Sequence, residues 1–268
     1  MNPMLITRHA EAQAVLSNPR YVPPPVRQDG AEGTLAWLRA RVSRFSTGPA
    51  HAERRRELVA LLSGLDPAAL RSAAEALTRQ RGGDWRGVPV AVLGAALGVA
   101  DTRAVPAAAA GYLSGEESPQ ADAAVAELLK LAGVPVITLL LQAHAATEGL
   151  IETALKHAAN DQDLDPPPHE TPGQDLDPPP HGTPGQDIDL LLCETLRQDP
   201  PLKATRRLDT RTGDEVTIDL VAVNRDPDAT DPALGHVPHL TFGHGVRPCP
   251  APEHALALAA GVLEGLLK

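Results

Sequence analysis

Aromatic side chains are so scarce in this chain that they limit how it can build an interior. Tyr21, Trp37, Phe45, Trp85, Tyr112 and Phe242 are the whole set among 268 residues. The core must therefore be made of Leu, Val and Ala, which suits packed helices. A hydrophobic share of 43% and a charged share of 22% are ordinary for a soluble globular protein. The length allows one large domain or two small ones, and is enough to bury a cofactor.

Apolar spacing supports a mainly α fold with a small β portion. Leu35, Leu38, Val42 and Phe45 recur at helical intervals over 34–45. Gly48-Pro49 opens another helix running to Leu62, and Asp66-Pro67 supplies an N-cap and first position for a third. Residues 88–110 read as two short helices, and helical patterning resumes at Ala121. The longest strongly apolar helix is expected over 136–159, with others over 187–198 and 255–267. Residues 215–223 alternate like a strand, with Val216, Ile218 and Leu220 on one side.

The net charge of −10 gives no case for nucleic acid as a partner. Eight of the acids lie between Asp161 and Asp189, a stretch without Lys or Arg, which leaves −2 for the rest. That stretch holds a repeat in two copies, QDLDPPPHETPG and QDLDPPPHGTPG. Its prolines oppose helix and central strand, so residues 161–186 are expected to be a solvated, disordered insert in a single domain spanning 1–268. No basic region followed by an apolar stretch opens the chain. The apolar run near 134–141 is too short to span a bilayer, so a cytoplasmic protein without membrane contact is expected.

Two cysteines occur in different settings. Cys193 follows Leu190-Leu191-Leu192 and reads as a buried, inert thiol. Cys249 sits in a Gly/Pro-rich turn just ahead of a helix, where amides favour a thiolate. The segment is Phe242-Gly243-His244-Gly245-Val246-Arg247-Pro248-Cys249-Pro250-Ala251. Its glycines allow the backbone to approach a bulky planar ligand, and Arg247 can pair with a carboxylate at that ligand's edge.

This segment resembles the haem-binding loop of cytochromes P450, F-G-x-G-x-[HR]-x-C, through Phe242, Gly243, Gly245, Arg247 and Cys249. Further matches follow in family order. His51 and Arg55 resemble the H-x-x-x-R of the C helix, and Glu194 and Arg197 the E-x-x-R of the K helix. Asn224-Arg225-Asp226-Pro227 resembles the N-R-D-P of bacterial members, and Arg207 falls where a further propionate-binding Arg is usual. The resemblance implies a shortened P450 fold and haem b, with Cys249 as the iron ligand. It also implies His51, Arg55, Ala143, Arg207, Phe242, Gly243 and Arg247 as cofactor-binding residues. His236, His239, His244, Cys249 and His254 also crowd together like zinc ligands, but their spacing matches no common zinc module.

One departure from the family lies on the distal side. Aligning residues 142–147 with A-G-x-[DE]-T puts Ala145 at the acid and Ala146 at the alcohol, the pair that normally helps deliver protons. His144, Thr147 and Glu148 are then the candidate catalytic residues, with His144 facing either the iron or the helix bundle. The Arg that usually completes the E-x-x-R network is not evident, and His236 is a possible stand-in. The chain is shorter than a usual P450 by roughly a third. The resemblance implies oxidation of a small molecule in a biosynthetic pathway, with a ferredoxin and reductase as electron source. The alternatives are peroxide-driven, dehydratase or rearrangement chemistry, or a non-catalytic haem-binding role. The shortening suggests a homodimer or partner covering the haem face.

Overall fold

The structure is a computed structural model describing residues 4–162, 184–229 and 239–267. Residues 163–183 of the acidic repeat, and His236, lie outside the described residues. The elements run β1 (Met4–Ile6), α1 (His9–Ser17), β2 (Tyr21–Val22), α2 (Leu35–Arg41), a 3-10 turn (Ser43–Phe45), α3 (Gly48–Leu62) and α4 (Pro67–Gln80). Then come α5 (Val88–Ala96), α6 (Val105–Ala110), α7 (Pro119–Leu131), α8 (Val134–Gln162) and α9 (Pro184–Gln198). The chain closes with β3 (Ala204–Asp209), β4 (Glu215–Asp219), α10 (Leu220–Asn224) and α11 (Pro252–Leu267).

Local chemistry starts several of these helices where the sequence predicts. The Asp66 carboxylate accepts the Ala68 amide at the head of α4, and Ser118 accepts that of Ala121 at α7. Two expected elements are shorter than their patterns. The helix expected over 34–45 stops at Arg41, and the chain re-enters as the 3-10 turn after an extended Val42. The strand expected over 215–223 ends at Asp219, whose side chain accepts the amides of Val221 and Ala222 and turns the chain into α10. Strand β3 has too many charged residues for its alternation to show.

The helices share one large core. Helix α8 runs through it, touching α3, α5, α6, α9 and α11. Among the described residues, α8 is the one helix long and apolar enough to cross a membrane, at mean hydropathy 1.4 over Val134–Ala159. Its packing is that of a central core helix. Helix α11 crosses α4 at very short range. A Cβ on Gly261 would enter the Arg71 carbonyl, and one on Gly265 would fall 2.7 Å from the Thr78 Cβ. Arg71 clasps the same crossing, donating through Nε and Nη2 to the buried Glu264 and through Nη1 to Asp189.

A four-stranded sheet, ordered β1-β4-β3-β2, covers a smaller core of Ile6, Val15, Leu16, Val216, Ile218 and Val223. β1 runs parallel to β4, while β3 is antiparallel to both β4 and β2.

Cys193 departs from its expected burial. Ile188, Leu192 and Leu196 form the buried stripe of α9, and the next position around the helix turns Cys193 outward. Burial of part of its side chain, with Glu194 and Asp189 nearby, pushes its thiol pKa up. Both cysteines are free, so no disulfide joins them.

Candidate cofactor site around Cys249

The loop ahead of α11 is closed by its own backbone. The Cys249 amide donates to the Phe242 carbonyl at 2.6 Å, and the Gly243 amide donates to Leu240 at 2.8 Å. Gly243 takes φ +76° and Gly245 φ +62°, the left-handed region that favours glycine. Gly245 has a second reason to be glycine, because a Cβ there would lie 2.5 Å from the Ser17 Cα. The loop is thus seated on the end of α1, where the Val246 amide donates to Leu16. The Ala251 amide donates to Cys249 Sγ at 3.4 Å. Burial nevertheless pushes the Cys249 thiol up, against the Ala251 amide and the charges of Arg55 and Arg44. The helix-terminus effect that the sequence suggests is real here, but burial outweighs it.

Four basic side chains singled out from the sequence converge on this loop from three elements. His51 and Arg55 come from α3, Arg207 from β3 and Arg247 from the loop itself. Arg55 donates to the Pro248 carbonyl, and Arg247 donates to the Ser46 carbonyl at 2.7 Å. Arg207 donates to Thr205 Oγ1 and its neighbour's carbonyl, both at 2.8 Å. Burial is the largest cause of every shift in the group. It pulls Arg207 down to about 10, helped by Arg44 and Arg247. It pulls His51 down to about 4, helped by Arg247 and Arg55. Arg247 and Arg55 are lowered too.

Among the described residues, none of these three guanidiniums has a carboxylate partner. Half-buried cations facing one another without an acid are costly unless an anion joins them. The donor set is matched to a group that carries two carboxylates at one edge and offers a thiophilic metal to Cys249. A haem has those properties. Among the described residues, which do not include His236, no group of three His, Cys, Asp or Glu side chains gathers to hold a metal. His254 Nε2 instead lies 3.1 Å from the Leu62 carbonyl, and the His239 ring packs 5.9 Å from that of Phe242.

Helix α8 separates the other candidates onto different faces. His144 Nδ1 lies 3.0 Å from Glu148 Oε1, and that oxygen also accepts the Gly87 amide at the head of α5, again at 3.0 Å. These contacts hold Glu148 in its charged form, below the usual carboxylate range, although burial opposes them. Glu148 thus links His144 to the head of α5. Thr147 is buried at 2% exposure, and Ala143 packs against the large core. Ala145 and Ala146 are exposed.

No family model matches the sequence, and no curated protein matches it. Solved structures do. P450BioI, crystallised in complex with hexadec-9Z-enoic acid ligated acyl carrier protein, matches with TM-score 0.69 at 18% identity, over 98% of this chain and 84% of its own. A thermophilic cytochrome P450 from Sulfolobus tokodaii matches with TM-score 0.65 at 16% identity, over 100% and 87%. CYP154A1 from Streptomyces coelicolor gives 0.64 at 18%, over 98% and 82%.

The chain has the cytochrome P450 fold.

Within that P450 fold, the family-like motifs away from Cys249 act as ties. Glu194 and Arg197 form an ion pair at 2.7 Å on α9. Asn224 is fully buried. Its amide donates to the Leu196 carbonyl and Thr241 Oγ1, while its Oδ1 accepts the Leu240 amide. It thereby fixes the end of α9 to the residues leading into the cysteine loop. Asp226 accepts the His9 amide at 2.8 Å, capping α1 from a point 217 residues away. Since α1 carries Ser17 and Leu16, the Asn-Arg-Asp segment positions the loop from two sides. Sequence reasoning gave this motif a family likeness without a role, because its partners are remote in the chain.

Proposed function

We propose that this chain is a haem-thiolate protein of the P450 type that oxidises a small molecule. Cys249 is the iron ligand, and His51, Arg55, Arg207 and Arg247 hold the carboxylates of haem b. Phe242 and Gly243 contribute from the cysteine loop, and Ala143 from α8. The observation that carries this reading is the set of three half-buried guanidiniums beside a cysteine, with no carboxylate among the described residues to neutralise them. A thiolate-bound haem supplies iron with electron density that favours cleavage of O–O or N–O bonds.

The residues of this chain do the holding and poising. The Ala251 amide donates to the sulfur, and Arg55 favours its charged form. His51, neutral at pH 7, offers a hydrogen bond rather than a charge. Electrons for an oxygenase reaction come from a ferredoxin and reductase. A second copy of the chain covering the shortened lid is part of the same reading.

A second reading, a P450-derived enzyme with peroxide-driven, dehydratase or rearrangement chemistry, is favoured by α8. Ala145 and Ala146 hold no proton, and Glu148 is occupied by His144 and the Gly87 amide. His144, Thr147 and Glu148 stay the candidates for any proton held on that helix.

The reduced, CO-bound protein is expected to show the red-shifted Soret band of thiolate ligation, and Cys249→Ala to lose it. A normal Soret position in the wild type, unchanged by the substitution, overturns the assignment. Turnover with surrogate ferredoxin and reductase supports the oxygenase, and turnover with peroxide alone supports the second reading.

A further inference from the structure

The 3-10 turn between α2 and α3 carries a guanidinium that the motifs leave out. Arg44 is half-buried, and among the described residues it has neither a carboxylate partner nor a hydrogen bond. Its guanidinium carbon lies 6.0 Å from the centre of the Phe45 ring, a loose contact. Arg247 anchors the turn itself by donating to the Ser46 carbonyl at 2.7 Å, two residues from Arg44. The charge of Arg44 reaches Arg207 more strongly than that of Arg247 does, and it also reaches Cys249. The chain from Gly33 to Ala52 has three arginines and no acid, so nothing local neutralises it.

We infer that Arg44 is a further anion-binding residue of the cofactor site, closing the cradle of Arg55, Arg207 and Arg247 around the carboxylate edge of haem b. A fourth guanidinium with no acid adds repulsion to the empty cradle and attraction to a filled one. Its removal therefore has opposite effects on the two forms, which a merely structural residue does not produce. This inference rests on the haem reading above.

The test compares haem with its dimethyl ester, in which both carboxylates are blocked, by Soret titration of the cofactor-free protein. Wild type is expected to prefer haem. Arg44→Ala is expected to lose about tenfold of haem affinity, the worth of one charge-assisted hydrogen bond, with ester affinity unchanged. Arg44→Lys should keep most of the preference. Thermal melting should show Arg44→Ala equal to or above wild type without haem and below it with haem. If wild type prefers haem and Arg44→Ala prefers it equally, the role of Arg44 is overturned while the haem reading stands. If wild type binds neither compound, or does not distinguish them, the cradle reading itself fails.

Discussion

On α8, Glu148 answers both His144 and the Gly87 amide; around Cys249, Arg55, Arg207 and Arg247 answer no acid among the described residues. Both sets are partly buried, both are built from family-like segments, and both were candidates from sequence. The difference is in who supplies the counter-charge. A polar group that finds its partner within the fold stabilises that fold, whereas a half-buried cluster of like charges without one is costly unless an anion joins it. The Cys249 side is therefore where the proposed ligand belongs, and the His144–Glu148 pair ties α8 to the head of α5.

The largest effect that sharpens this contrast comes from the cations. Arg207→Ala or Arg247→Ala should cut haem affinity by about tenfold to a hundredfold, at roughly 1.5–3 kcal/mol per charged hydrogen bond. Melting of cofactor-free Arg207→Ala should not fall correspondingly, since a repulsive neighbour is removed, whereas Arg247→Ala also loses its bond to Ser46. Titration and calorimetry on the same variants check both halves, and a parallel loss in each for Arg207→Ala would break the comparison.

Glu148→Ala should behave the other way round. Leaving the Gly87 amide and His144 unanswered should cost about 1–3 kcal/mol of stability by denaturant unfolding, with haem affinity retained. The pKa of Glu148 is depressed in the fold, so its contribution is present above the carboxylate's unfolded value and is lost as pH falls through the folded one. A large drop in haem affinity at full stability would instead move Glu148 into the site.

The smallest effect concerns His51. Its folded value of about 4 lies below its ordinary 6.5, because burial, Arg247 and Arg55 disfavour its charge. The unfolded chain binds the proton more readily, so stability is full above about pH 6.5 and declines toward pH 4. His51→Gln should flatten that decline, as measured by melting of the cofactor-free protein across this range. An unchanged slope would show that His51 does not face the two arginines.

Much of this was legible because it is local. The Asp66 cap, the Gly-rich loop and the i,i+4 spacing of His51 and Arg55 all lie within a few residues of their consequences. Other features had no local signature. Arg44 showed only as a basic residue in an acid-free stretch. The charges of β3 hid its strand alternation, and Cys193 was misjudged because an apolar run on a helix still has an outer face. The contact of Glu148 with the Gly87 amide had no signature either, because the two residues lie 61 positions apart.

The sequence by itself determined the helical class, the glycine positions of the loop around Cys249 and the residue types able to hold an anion. Only the tertiary structure decided which charges meet. Arg247 reaches Ser46 across 201 positions, Arg55 reaches Pro248 across 193, and Asp226 caps His9 across 217. Such pairings are set by how helices pack, as where Gly261 lets α11 close onto α4, and not by any spacing along the chain. Charge interactions depend on distance and burial, and both come into being only when the core is assembled.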